Sequence, residues 1–419
     1  MNPILYIAKH LSLRGGRDNR RPPSVWIAAT SVALTVLVLE LTLSVVGGFR
    51  DGIIHKVRGF EPDITVAPAY DYSTGESDGY LRLDRSLRAV IMSAMPYAVE
   101  PELSMKYPAV IKTADDFAAL VLHAYDKRHD FSFEKEIVSE GRLPDYPVGE
   151  GDNTIMISAS VANAMKLGVG DKVDCYFFVD GNIKARKPIV AAIYDSSFGE
   201  ADELIAYTSL PWLQKVAAID SLSGTGIDIR GINDIEEVPL IAQQLQSALL
   251  EALQSGRTNK VYPVDNITHR ASVYFSWLDL LDTNVVVIFV LMTCVAGFTL
   301  IASLFILILE KVRTIGLLRA LGMNVNQMRN VFVCMAMRYV AIGLVIGNVL
   351  GIGIIFAQHI WRFIPLDPHM YYLAYVPVSF SITDVIWLNA GVVAVAWLVM
   401  ILPAGLVSTV RPAQTMHYE

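Results

Sequence analysis

Eight histidines and three cysteines are the residues best suited to metal or nucleophile chemistry, and their spacing supports neither. No HExxH pair or His/Cys cluster offers the ligand spacing that a zinc site needs. No GxSxG elbow is present, and no cysteine has an evident histidine partner. The carboxylate pairs Asp115-Asp116 and Glu236-Glu237 read as solvated surface charge. The GVGDK at 168–172 is no phosphate loop, because it lacks the GxxxxGK[ST] spacing. With no Walker sequence in the chain, energy for work on a substrate has to come from another chain.

Two places remain where residue type and spacing point to a role. Glu40 lies inside an apolar run, where an ionisable side chain costs several kcal/mol unless something satisfies it. It either lines a cavity or inter-subunit groove, or is an acid satisfied by a neighbouring helix or the headgroups. The second place is 310–323, EKVRTIGLLRALGM. At about 100° per residue, Ile315, Leu317, Leu318 and Leu321 share one broad side, with Arg313 and Arg319 on the other. Gly322 is a natural stop for such a short helix. A basic loop obeying topology rules fits this spacing as well as a docking helix does.

The elements that carry these residues follow from hydropathy. Residues 283–309 form a charge-free run of 27, long enough to cross a bilayer. Similar runs occupy 25–46, 331–357 and 385–410, the last with a proline, Pro403, that predicts a kink. Between the first two lies a large segment, 47–282, with 22 Lys and Arg against 35 Asp and Glu, a net −13. The remainder carries 12 against 6, a net +6, so nucleic acid is excluded as a partner class. Arg14, Arg17, Arg20 and Arg21 precede the first run, and Lys311, Arg313, Arg319 and Arg329 lie between the second and third. The positive-inside rule therefore puts both termini in the cytoplasm and the acidic segment outside. Residues 3–14 place Ile4, Ile7, Ala8 and Leu11 at helical spacing, which predicts an amphipathic surface helix within 1–24.

Within 47–282 the pattern is mixed α/β. Strands are expected at 64–66, 109–111, 172–178 and 188–194, with a turn at Asp180-Gly181-Asn182 between the last two. Helices are expected at 159–167 and 235–255. Leaving and re-entering the bilayer suggests two lobes. In the third span Gly343, Gly347 and Gly351 form overlapping GxxxG steps, a packing face for a helix in this chain or in a partner.

The order of Glu310, Lys311, Arg313, the IGLLRALG core and the following NQMRNVF resembles the coupling helix of the FtsX/MacB-type permease family. Gly141-Arg142-Leu143, 155–164 and 167–172 resemble that family's periplasmic core domain. Leu366-Asp367-Pro368, Tyr372, Val376-Pro377, Asp384 and the 403–419 ending narrow the resemblance to lipoprotein-releasing permeases of the LolC/LolE type.

The resemblance implies four transmembrane helices with a large extracytoplasmic domain between the first two, a MacB-like architecture. A coupling helix lies in 310–330, a short outer connection at 358–384 and a cytoplasmic tail at 411–419. It implies a non-catalytic permease in the bacterial inner membrane, paired with a second permease and a cytoplasmic ABC ATPase that binds ATP and magnesium. The cargo would be a lipoprotein, handed on to a periplasmic carrier in members that recruit one. Those members carry a hook-like insertion where this chain has only the 180–182 turn. The same family also offers a drug or peptide exporter, and a mechanotransmission permease that switches a cell-wall hydrolase.

Overall fold

The structure, a computed structural model, describes residues 23–404 apart from 72–75, 78, 97–98, 115, 127, 144–152, 180, 259, 311–313, 315–316 and 319–320. The expected surface helix at 3–14 and the tail at 411–419 lie outside the described residues. In chain order come helix α1 (Pro23–Phe60) and strands β1 (Ile64–Val66), β2 (Tyr70–Asp71), β3 (Glu76–Ser77) and β4 (Leu81–Arg82). Helix α2 (Arg85–Ala94) leads into β5 (Glu102–Lys112) and β6 (Phe117–Tyr125), followed by α3 (Ser132–Ile137), β7 (Val138–Gly141), β8 (Thr154–Ser158) and α4 (Ala159–Met165). Next are β9 (Asp174–Val179), β10 (Asn182–Arg186), β11 (Ile189–Tyr194), β12 (Ile205–Ser209), β13 (Ser223–Gly224) and β14 (Gly226–Ile229). Helix α5 (Val238–Gln254) and β15 (Val264–Asn266) precede three long helices, α6 (Ser272–Glu310), α7 (Val325–Trp361) and α8 (Ile382–Ala404).

Gly52–Ser276 together with Leu366–Ala374 form one compact unit. Its frame is an eleven-stranded mixed sheet in the order β15-β1-β14-β5-β6-β12-β8-β11-β7, with β9 on β5 and β10 on β9. The ladders β6–β12 and β8–β11 are parallel. Strand β5 ties the sheet together, pairing with β14 near Ser104, with β6 as far as Lys112, and with β9 from Ala109 to Lys112. The segment expected to form two lobes is thus built on one continuous sheet. Alternation explains the hairpin, because Ala109, Ile111, Leu120 and Leu122 are buried at period two.

Helix α4 starts on Ser158, whose hydroxyl accepts from Val161 N at 3.1 Å, and stops at Lys166 with φ +55°. Helix α5 buries Val238, Ile241, Ala242, Leu245, Leu249 and Ala252, a stripe of helical period. Strand β10 is an addition to the sequence reading. Its NIKAR sequence buries neither Ile183 nor Ala185, and it pairs with β9 along one edge.

The other unit holds the long helices. Four stretches are long and apolar enough to cross a membrane: Trp26–Phe60, Ser272–Glu310, Val325–Trp361 and Ile382–Met400. Their buried core joins Val32, Val36 and Leu39 of α1 to Leu300, Leu304 and Leu307 of α6, to Phe332, Met335 and Val340 of α7, and to Leu388 and Ala396 of α8. Val286, Val290, Leu291 and Phe298 of α6 are exposed, a surface suited to hydrocarbon rather than water.

Candidate functional site

Two neighbourhoods of the helical unit carry the residues singled out in the sequence. The first is the turn between α6 and α7. Glu310 ends α6 and is exposed. Lys311, Arg313, Ile315 and Arg319 lie outside the described residues. Leu317 and Leu321 stand out at 64% and 77% exposed. Leu318 between them turns inward and, with Met323, packs on the helical core.

The turn is closed by backbone geometry. Met323 N donates to Leu318 O and Leu321 N to Leu317 O, both at 3.0 Å. Gly322 sits at φ +91°, so the segment ends in the six-to-one pattern that favours glycine. Asn324 and Gln327 then form a capping box that starts α7. That box is legible in the sequence as Asn-x-x-Gln ahead of an apolar run. The arrangement anchors one leucine and presents its two neighbours outward, a small apolar ridge on a fixed turn.

The second neighbourhood is the contact of α1 with α7. A β-carbon on Gly343 would lie 2.6 Å from Ala29 O, and one on Gly347 would lie 2.8 Å from Ala33 O. One on Gly351 would collide with the Glu40 carboxylate. The three glycines therefore face α1 of the same chain, and the last makes room for an acid. Glu40 is buried, and among the described residues neither of its carboxylate oxygens has a hydrogen-bond partner. It lines a cleft with Ser44, Ile355, Ser379, Ser381 and Asp384. The strand-like run before α8 is stitched to α1 there, with Ser44 Oγ donating to Ser379 O at 2.6 Å and Ser379 N donating to Ser44 O at 3.0 Å.

A family model described as FtsX-like permease C-terminal matches residues 286–412, which include both neighbourhoods except for α1. That stretch is therefore similar to an FtsX-like permease C-terminal domain. Over its full length the chain is 22% identical to the lipoprotein-releasing system transmembrane protein LolC of Xylella fastidiosa, covering 100% of each. It is 21% identical to LolC of Neisseria meningitidis over 94% of each chain. It is 19% identical to LolE of Haemophilus influenzae over 97% of this chain and 98% of that one.

Among solved structures, the extracellular domain of the noncanonic ABC-type transporter YknZ matches 48% of this chain and 99% of its own at 12% identity, TM-score 0.33. The periplasmic region of MacB from Actinobacillus actinomycetemcomitans matches 52% and 95% at 15% identity, TM-score 0.32.

The α/β unit holds polar clusters that sequence reasoning missed, because their members are far apart in the chain. Glu61 Oε1 accepts from Lys106 at 2.7 Å and Oε2 from Arg270 at 3.1 Å. Burial alone would raise its carboxyl, but Lys106, Arg270 and Arg230 hold it below the usual range. Lys56 donates to Ser196 O at 2.5 Å and to Tyr372 O at 2.7 Å, while Tyr372 packs on Phe198 and Tyr274. The middle of the outer connection thus belongs to this unit. No group of His, Cys, Asp and Glu among the described residues could hold a metal ion.

Proposed function

We propose that this chain is the permease subunit of an ABC-type complex that extracts lipoproteins from the outer leaflet of the bacterial inner membrane. ATP and magnesium belong to a cytoplasmic ATPase subunit, and a second permease completes the pair. The observation that carries the coupling role is the anchored turn: Leu317 and Leu321 exposed, with Leu318 and Met323 between and behind them in the core. Two exposed leucines one turn apart on a closed, glycine-stopped segment suit the groove of a partner. The cargo class follows from the LolC and LolE relatives, which align along the whole chain. Release has to offset about 0.8 kcal/mol for each acyl CH₂ leaving the bilayer, a reason for ATP to be involved.

The topology that goes with this reading has both termini in the cytoplasm and the acidic α/β unit in the periplasm, following the basic residues around the spans. The test is co-purification from detergent-solubilised membranes, comparing wild type with Leu317→Asp/Leu321→Asp. An ATPase that is lost in the variant, with lipoproteins that leave wild type on ATP addition, supports the proposal. A cell-wall hydrolase in place of lipoproteins would transfer the protein to the mechanotransmission class. Wild type with no ATPase would overturn the coupling role.

A further inference from the structure

The cleft at Glu40 has a chemistry that the coupling role does not use. Glu40 is 3% exposed, and neither of its oxygens accepts a hydrogen bond among the described residues. Glu40 is the seventeenth residue after Pro23 at the start of α1, about 26 Å along a helix, a depth near the far headgroup boundary. A buried carboxylate left without a donor costs several kcal/mol, so a site of this kind calls for a donor from outside the protein.

Among the described residues the cleft supplies carboxylates and hydroxyls and no protein cation. Its polar lining is Glu40, Asp384, Ser44, Ser379 and Ser381, and no Lys, Arg or His lines it. The Ser44 hydroxyl is already spent on Ser379 O. What remains is two carboxylates and the Ser379 and Ser381 hydroxyls, neither of which donates to Glu40, on an otherwise apolar wall of Leu43, Ile355, Phe380, Val385 and Leu388. A ligand that fits must bring positive charge and N–H donors at one end and tolerate hydrocarbon beside it. A primary ammonium with its three donors meets the first need. A quaternary ammonium has charge but no donor. The site is built into the helix contact, because Gly351 leaves the space that the Glu40 carboxylate fills.

We propose that this cleft binds the primary ammonium of an ethanolamine phospholipid, with Glu40 and Asp384 as its anions. The lipid would sit with its headgroup between α1 and the start of α8 and its chains along the apolar wall. This reading is independent of the cargo and of the ATPase.

The test uses the full-length protein, stripped of lipid and rebuilt in nanodiscs that contain equal amounts of phosphatidylethanolamine and phosphatidylcholine with identical chains. Retained lipid is identified by native mass spectrometry. Wild type is expected to keep the ethanolamine lipid at least tenfold over the choline lipid. Glu40→Gln is expected to abolish that preference, and Asp384→Asn to reduce it several-fold. Equal retention of the two lipids by wild type would overturn the proposal without recourse to any variant. So would a preference that survives both substitutions, or displacement of the lipid by millimolar potassium, which would mark an inorganic cation site. Should Glu40→Gln fail to purify with an unchanged melting midpoint, Asp384→Asn and the wild-type comparison decide.

Discussion

Asn348 of α7 and Asn389 of α8 exchange side-chain hydrogen bonds, each Nδ2 donating to the other's Oδ1 at 2.9 Å. Each amide also donates to its own helix, Asn348 to Leu344 O at 2.6 Å and Asn389 to Val385 O at 2.7 Å. The pair is a polar clamp between two apolar helices. Substituting Asn389→Leu leaves the Asn348 carbonyl with no partner across the contact, and the expected loss is about 1–2 kcal/mol. The double variant Asn348→Leu/Asn389→Leu is expected to recover part of that loss. A double-mutant cycle on denaturant unfolding in detergent measures the coupling, and strict additivity would refute it.

Gly347 offers a steric test of the α1–α7 contact. Its missing β-carbon would meet Ala33 O and Val36 Cβ, both at 2.8 Å. Gly347→Leu is therefore expected to force the helices apart, at a cost of about 3 kcal/mol or more. Gly353 lies on the same helix with nothing within 4 Å of the position its β-carbon would take, so Gly353→Ala should leave stability unchanged. Melting midpoints of the two variants, measured side by side, check the pair.

His129 makes the stability of the α/β unit depend on pH. Its Nδ1 lies 2.9 Å from Glu102 Oε2 and its Nε2 3.2 Å from Glu134 Oε1, while its ring stacks on Tyr125, which lies under Arg230. Burial by itself lowers the imidazole, but the two carboxylates more than offset that and hold it above its ordinary value. A raised folded value means that this stabilisation is fully present below the ordinary histidine range and is lost as pH rises through the folded value. The stability difference between wild type and His129→Gln is thus expected to be largest in mild acid and to shrink toward alkaline pH. Buried His123 works in the opposite sense. Burial, with Lys106 and Arg230 nearby, holds it well below its ordinary value, so wild type loses stability there as pH falls. Thermal midpoints from pH 5 to pH 8 for wild type and each His→Gln variant separate the two. A gap for His129→Gln that grows with pH would reverse the assignment.

Cys175 is expected to be inert in the folded protein. It is fully buried in β9, and burial pushes its thiol up to about 12. Maleimide labelling should therefore reach Cys175 only after denaturation, as read by peptide mass spectrometry. Labelling of the native protein within minutes would show that β9 opens.

Much of the architecture was legible because its signals are local. Charge-free runs, the −13 balance of 47–282 and the glycine stop at 322 need only neighbours in sequence to be read. The period-two and helical stripes at 109–111 and 238–252 are of the same kind. Strand β10 was not legible, because NIKAR is short and buries neither of its apolar residues, Ile183 and Ala185, and it owes its conformation to the ladder with β9. The placement of Leu366–Ala374 in the α/β unit escaped for a similar reason. It rests on Lys56, Phe198 and Tyr274, which lie 92 or more residues away in the chain.

The sequence by itself determined that four apolar stretches surround an acidic α/β insert, and that a short basic amphipathic segment links the second and third. Hydropathy, charge and helical period are properties of adjacent residues, so no fold is needed to state them. Only the tertiary structure decided which leucines of that segment are anchored and which are presented, since all of them share one sequence pattern. It also decided that Gly343, Gly347 and Gly351 pack on α1 of the same chain, and that Glu40 ends in a cleft with Asp384 where, among the described residues, nothing donates to it. Those relationships join residues more than 300 positions apart, and proximity of that kind exists only once the helices have packed.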